Sequence, residues 1–201
     1  MSNPLVSICV PYHDTPETAR FLSRLLKSIH EQTYKNIEIV LMKEGRMGQT
    51  YNACIKKAKG DIIKLMGMDD YFYEPVSVEK IVIAFNKPEV YWLGTGCVHD
   101  TDGDLHDPHK PEWNDRLYKG YNTLGGFAVI SMRNKDIPEI DETLDWTVDV
   151  DWYWRIYQKH GLPYVIDDMV VAVGIGEHQT TNKLSMEQKQ KEWELTSRKY
   201  E

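Results

Sequence analysis

The stretch Asp61-Ile-Ile-Lys-Leu-Met-Gly-Met-Asp-Asp70 decides the fold: an apolar run that ends in two adjacent carboxylates. A short run of this kind reads as a strand buried on both faces of a parallel sheet. Carboxylates just past its C-terminal end emerge where an open α/β sheet binds its ligands. Paired carboxylates with no base beside them suit a hard divalent cation that holds a diphosphate. Taken alone, Asp69-Asp70 followed by aromatics and Glu74-Pro75 also describes a strand-to-helix turn with a capping Asp, and on spacing alone that reading has the better of it.

The residues upstream change the balance. Leu5-Val-Ser-Ile-Cys-Val10, stopped by Pro11, has the β-rich composition of a buried parallel strand. After Tyr12-His13-Asp14 comes Thr15-Pro16-Glu17, a helix start with Thr as N-cap and Pro in the first turn. The helix expected from Glu17 to Gln32 carries Phe21, Leu22, Leu25, Leu26 and Ile29 on one stripe, the face that lies on a sheet. Ile37 to Met42 reads as a second strand, ending at Lys43-Glu44-Gly45-Arg46. A second helix is expected from Tyr51 to Lys59, closed by Gly60 as C-cap. Right-handed crossovers then put the C-terminal ends of all three strands on one sheet edge, and with them Tyr12, Glu44, Asp69 and Asp70.

In this order the chain resembles the family 2 glycosyltransferases, inverting enzymes of the GT-A fold that use nucleoside-diphosphate sugars. Val6-Ser-Ile-Cys-Val-Pro-Tyr12 is similar to the family's opening strand, and Ser28-Ile-His-Glu-Gln-Thr-Tyr-Lys-Asn-Ile-Glu-Ile39 to its second stretch. Ala58-Lys-Gly-Asp61 through Asp69-Asp70 is similar to its metal strand, Asn122-Thr-Leu-Gly-Gly126 and Val129 to Arg133 to its acceptor-side loop and following strand, and Val148-Asp-Val-Asp-Trp-Tyr-Trp-Arg155 to its catalytic helix. The resemblance implies an α/β fold with a mostly parallel central sheet flanked by helices. It covers a single domain over 1–201: a nucleotide-sugar half (1–95), an acceptor half with the catalytic Asp (96–180) and a helical tail (181–201).

The same resemblance implies roles. Pro11 and Tyr12 meet the nucleotide, Tyr12 by stacking on a pyrimidine, for which an aromatic face is a ready platform. Glu44 stands where relatives have the second Asp of a strand-end pair and can accept the uracil N3 hydrogen; Arg46 can reach a base carbonyl or a phosphate. Both also fit a solvated turn pair. Asp69 is assigned to the ribose and Asp70 to Mn²⁺ or Mg²⁺, with His178 of Gly176-Glu177-His178-Gln179-Thr180 as a second metal ligand; a lone His is otherwise commonly structural. Asp149 is the general base, since inverting transfer needs one carboxylate near the acceptor hydroxyl. Asp151 reads as the N-terminal cap of a helix from Trp152 to His160, and with Trp152, Trp113, Asn122, Gly125 and Gly126 is assigned to the sugar or acceptor side.

The sequence departs from its relatives at Lys43-Glu44, in place of the usual Asp-Asp, and at Gly67, in place of the first Asp of the commoner metal motif. These leave the base preference open between UDP- and dTDP-sugars. They also motivate an alternative, a catalytically silent sugar-nucleotide-binding module; a metal-dependent nucleotidyltransferase or phosphodiesterase would need a second carboxylate cluster. The stretch Gly94 to Gly120 carries His99, His106 and His109 among Asp100, Asp102, Asp104 and Asp107, and its spacing matches no compact metal set, so it reads as a solvated loop.

The composition agrees with one globular unit: 201 residues, 41% hydrophobic, with a formal net charge of −7 that disfavours broad nonspecific binding to nucleic acid or anionic lipid. Three scattered cysteines give no disulfide framework, no apolar run approaches membrane-spanning length, and Met1-Ser-Asn-Pro leads directly into the first strand, so a cytoplasmic protein is expected. The polar, helix-prone tail from Leu184 to Tyr200 is expected to pack back on the domain, with a homodimer as a possible assembly.

Overall fold

The structure, a computed structural model, describes residues 3–43 and 45–201. Its first strand, β1 (Val6–Pro11), is buried over most of its length and pairs in parallel with β2 (Ile37–Met42), Val6 opposite Ile37 and Pro11 opposite Met42. On its other side β1 pairs in parallel with β3 (Ile62–Leu65). The crossover helices are α1 (Thr18–His30), which buries Phe21, Leu25 and Ile29 of the expected stripe, and α2 (Met47–Lys57). Thr15 opens a turn ahead of α1: its Oγ1 accepts from Glu17 N at 3.2 Å while its own N–H donates to Thr18 Oγ1 at 2.8 Å.

Two boundaries differ from the sequence reading. Helix α2 starts at Met47, one turn earlier than Tyr51, because the Gln49 side chain reaches back to accept from Arg46 N at 2.8 Å, the return half of a capping box. Gly60 does not close α2, which ends at an extended Ala58. Gly60 is required because a Cβ there would lie 2.5 Å from Ser7 Oγ and 2.6 Å from Leu5 O, where the chain re-enters the sheet against β1.

The remaining strands are β4 (Tyr71–Phe72), β5 (Trp92–Thr101), β6 (Asp104–His109), β7 (Ile130–Arg133) and β8 (Tyr164–Gly174), and the helices α3 (Ser77–Phe85), α4 (Val148–His160), α5 (Thr180–Lys183) and α6 (Met186–Lys199). The sheet runs β2-β1-β3-β7-β5-β8-β4, with β6 beside β5. Five of its eight strands, β1, β2, β3, β5 and β8, run in one sense, as expected of a mostly parallel sheet, and the other three make it mixed. Strand β7 enters between β3 and β5 antiparallel to both, β6 returns along β5 as a hairpin, and β4 runs antiparallel to β8. The hairpin turn is Asp102-Gly103 with φ of 51° and 97°, the two positive values of the turn that matches strand twist.

Because β5 and β8 run parallel to each other and in the sense of β1, β2 and β3, the C-terminal ends of five strands meet on one edge. The core beneath that edge is built on Trp92, Trp152 and Tyr153, all fully buried. Helix α4 begins at Val148 after Thr147, so Asp149 and Asp151 both lie in its first turn, and Asp151 does not cap it.

Candidate active site

After β3 the chain turns at Gly67, and that turn fixes both carboxylates. Asp70 accepts from Gly67 N at 2.7 Å and, through its other oxygen, from Gly174 N at 3.1 Å, which ties the turn to the end of β8. Gly174 admits this approach because a Cβ there would meet Asp69 O at 2.6 Å. Burial first, and then the neighbouring charge of Asp69, push the Asp70 carboxyl up to about 7 against these two donors. Lys64, wholly buried in β3, also acts on Asp70; burial holds its amine down to about 7, and it donates to Ala128 O.

Asp69 faces the late loop. Its Oδ2 lies 2.7 Å from His178 Nε2, and the His178 ring packs on Phe21 with centroids 4.7 Å apart. Arg24 donates to the Asp69 carbonyl at 2.5 Å and pairs with buried Asp100 at the end of β5. Across the crevice, the half-buried Asp149 accepts from Val150 N and from Asn122 Nδ2, each at 2.7 Å. Burial pushes its carboxyl up to about 6, opposed by these donors. Asn122 is held in turn by a second bond to Gly125 O at 3.0 Å, and Gly125 takes a φ of 109° that favours glycine.

These groups line two adjoining cavities. One, about 230 Å³, is bounded by Asp69, Asp70, His178, Gly126 and Asp149. The other, about 310 Å³, is bounded by Pro11, Tyr12, Arg46, Thr50 and Asp69. Asp69, Tyr51 and Asp145 border both. One continuous crevice thus carries an aromatic and a guanidinium at one end, two carboxylates and an imidazole in the middle, and the half-buried carboxylate of Asp149 at the other. Arg46 is braced by a paired contact with Asp145, its Nε donating to Oδ1 at 3.0 Å.

Comparison with solved structures gives the architecture its relatives. The Staphylococcus aureus TarS fragment 1–349 in complex with UDP-GlcNAc superposes with a TM-score of 0.69 at 15% identity over 90% of this chain and 62% of that one. A Pyrobaculum calidifontis mannosyltransferase in complex with GDP-Man and Mn²⁺ gives 0.63 at 14% identity over 87% and 58%. The fold is the one that these two structures share. In sequence, uncharacterized glycosyltransferases of Rickettsia typhi and Rickettsia prowazekii are each 23% identical over 90% of this chain and 67% of their own length. No protein-family model matches. The chain spans about 60% of the TarS fragment and of the mannosyltransferase, and 37% of the longer TarS structure.

Within this fold several residues assigned from sequence lie away from the crevice. Asp151 is fully buried among Arg155 at 2.5 Å, Lys199 at 2.8 Å and Tyr200 Oη at 2.7 Å, and anchors the end of α6. Trp152 is core, with Nε1 donating to Pro138 O at 2.6 Å. Trp113 stacks on Trp154, centroids 5.8 Å apart, and bonds Asp115. Glu44 lies outside the described residues.

Other residues at the site escaped the sequence reading. Glu192 of α6 accepts from the backbone N–H groups of Asp145, Trp146 and Thr147 at 2.7 to 3.1 Å, and so sets the entry of α4 on which Asp149 sits. Its signal, an acid on a helix polar nearly all round, is local to nothing. Lys64 did leave one: a lone charge in a wholly buried apolar strand. Among the described residues no helix is long and apolar enough to cross a membrane.

Proposed function

We propose that the chain transfers a sugar from a nucleoside-diphosphate sugar to an acceptor hydroxyl with inversion, with Asp149 as the general base. The observation that carries this is the single cavity bounded on one side by Asp69 and Asp70 and on the other by Asp149, with glycine backbone between. A donor laid along the crevice puts its base against Pro11 and Tyr12, its diphosphate at the Asp69-Asp70 turn and its sugar toward Gly126. The acceptor hydroxyl then enters beside Asp149, which takes its proton as the hydroxyl attacks the anomeric carbon from the face opposite the diphosphate. A carboxyl held near neutrality by burial is suited to that transfer. Asn122 fixes the carboxylate so that one oxygen stays aimed.

A divalent cation fits the donor set. Asp69 and Asp70 supply hard oxygens, His178 stands against Asp69, and burial and mutual repulsion raise Asp70, an arrangement that a dication relieves. Asp70 and His178 would hold Mn²⁺ or Mg²⁺, which supplies charge neutralisation for the departing diphosphate. For the base, support comes from the TarS complex with UDP-GlcNAc, while the mannosyltransferase complex holds GDP-Man. A UDP-sugar, or a dTDP-sugar, is the reading favoured by Tyr12 as a stacking face at the nucleotide end of the crevice.

The test is calorimetric titration of UDP, dTDP, GDP and CDP, with and without Mn²⁺, into wild type and Asp70→Asn. Cation-dependent binding of one pyrimidine diphosphate, weakened at least tenfold in the variant, supports the donor site. No binding of any diphosphate under either condition overturns it.

A further inference from the structure

The β5–β6 hairpin gathers chemistry that the crevice does not use. His99 on β5 and His106 on β6 are cross-strand partners, with ring centroids 5.9 Å apart. Strict alternation along β6 sends the next residue, Asp107, to the other face of the sheet. Instead Asp107 adopts a φ of 45°, a left-handed value uncommon for a side-chain-bearing residue, and its Oδ2 lies 3.0 Å from His106 Nδ1. The other nitrogen of that ring, Nε2, is 2.9 Å from Thr101 Oγ1.

One ligand atom from each of His99, His106 and Asp107 lies within 4.8 Å of the others. Donor atoms about 2.0–2.1 Å from a tetrahedral ion stand roughly 3.3 Å apart, so the set lies within about 1.5 Å of the spacing that an ion requires. The Thr101 hydroxyl on the far nitrogen is the second contact by which a metal-bound imidazole is oriented. Two imidazoles and a carboxylate select against Mg²⁺ and Ca²⁺ and for the borderline transition-metal ions.

We propose that His99, His106 and Asp107 form a binding site for a transition-metal dication such as Zn²⁺, separate from the Asp69-Asp70 crevice. Three protein ligands leave a fourth position to water. The strand that carries two of them continues to His109, whose Nε2 donates to Thr123 O at 3.1 Å, next to the Asn122 that positions Asp149. An ion here ties the hairpin tip to β5 and stiffens the approach to that loop.

The experiment titrates Zn²⁺, and separately Co²⁺ as a visible-absorbing probe, into Asp70→Asn protein and into the same background carrying His99→Gln/His106→Gln. In the first, one ion binds and Co²⁺ develops the intense bands of a tetrahedral site; in the second, affinity falls at least tenfold and the bands vanish while far-ultraviolet circular dichroism is unchanged. Equal Zn²⁺ affinity in the two proteins, or no Zn²⁺ binding in Asp70→Asn, overturns the proposal. Should the double histidine variant unfold, Asp107→Asn at the exposed carboxylate must weaken Zn²⁺ about tenfold, and equal affinity there overturns it too. Because Asp70 is replaced in every protein compared, a difference between them reports the hairpin, and failure here leaves the donor-site reading untouched.

Discussion

Replacing Asp149 by Asn keeps the side chain's shape and removes its charge, and the structure gives the consequence a sign and a size. A carboxyl held at about 6 where the unperturbed value is 3.8 corresponds to about 3 kcal/mol by which the folded environment disfavours the charged form. The folded value is raised, so the contribution is fully present below 3.8 and is lost as pH rises through about 6. Above that pH the wild type carries the penalty and the Asn variant does not. The amide presents one oxygen, so it keeps the bond from Val150 N or from Asn122 Nδ2 at full strength but not both, which returns about 1 kcal/mol. The net expectation is a variant more stable by about 2 kcal/mol at pH 8, or roughly 4–8 °C in Tm for a chain of this size, with the gap narrowing toward pH 4.

Activity moves the other way. Loss of a general base lowers the rate by about 10²- to 10⁴-fold. Scanning calorimetry from pH 4 to 8, together with nucleoside-diphosphate release from the donor, measures both. An Asn variant that is less stable than wild type at pH 8 would show that the carboxylate is a structural hub and remove the argument for Asp149 as base. So would a variant of unchanged rate.

Three further expectations follow from the same contacts. The acid limb of the wild-type rate profile falls through about 6 as Asp149 takes a proton, whereas a limb near 4 would mean that a solvated carboxylate governs the rate. Gly174→Ala pushes a methyl toward Asp69 O at 2.6 Å; it lowers stability by about 1–3 kcal/mol and weakens UDP at least tenfold by calorimetry, and normal binding would show that the turn moves freely. Glu192→Gln leaves one acceptor oxygen for three backbone donors; it costs about 2 kcal/mol in urea unfolding and lowers the rate, and an unchanged midpoint would mean that α6 does not hold α4.

How far the sequence could be read depends on whether each signal was local. The strand β1 and the stripe of α1 were legible because periodicity writes burial directly into the chain, and β2, which buries only Val40, was legible from its β-rich composition. The insertion of β7 between β3 and β5 was not, because nothing in Ile130 to Arg133 states its partners. The hairpin was missed despite Asp102-Gly103, a strong turn signal, because its flanks are His, Asp and Thr and lack an apolar alternation. Asp69, Asp70 and Asp149 were named from motif order, yet their meeting across one cavity is a property of the sheet edge. Asp151 was misplaced for the converse reason. A carboxylate at a helix start reads as a cap, and the groups that hold it, Lys199 and Tyr200, are 48 and 49 residues away.

The contrast between Asp151 and the crevice acids is itself an argument about function. Asp151 is as deeply buried as a side chain can be and is met by a guanidinium, an ammonium and a phenol. The chain therefore has the means to satisfy a buried carboxylate and does so where only stability is at stake. Among the described residues Asp70 and Asp149 receive neutral donors alone, and the buried amine that acts on Asp70, Lys64, gives its hydrogen bond to a carbonyl. Both carboxyls are consequently held far above their ordinary range, at the two sides of one cavity. Groups kept in that condition gain when a cation or a proton arrives, and in the reaction proposed above both would come with the substrates: the cation with the donor diphosphate, the proton from the acceptor hydroxyl.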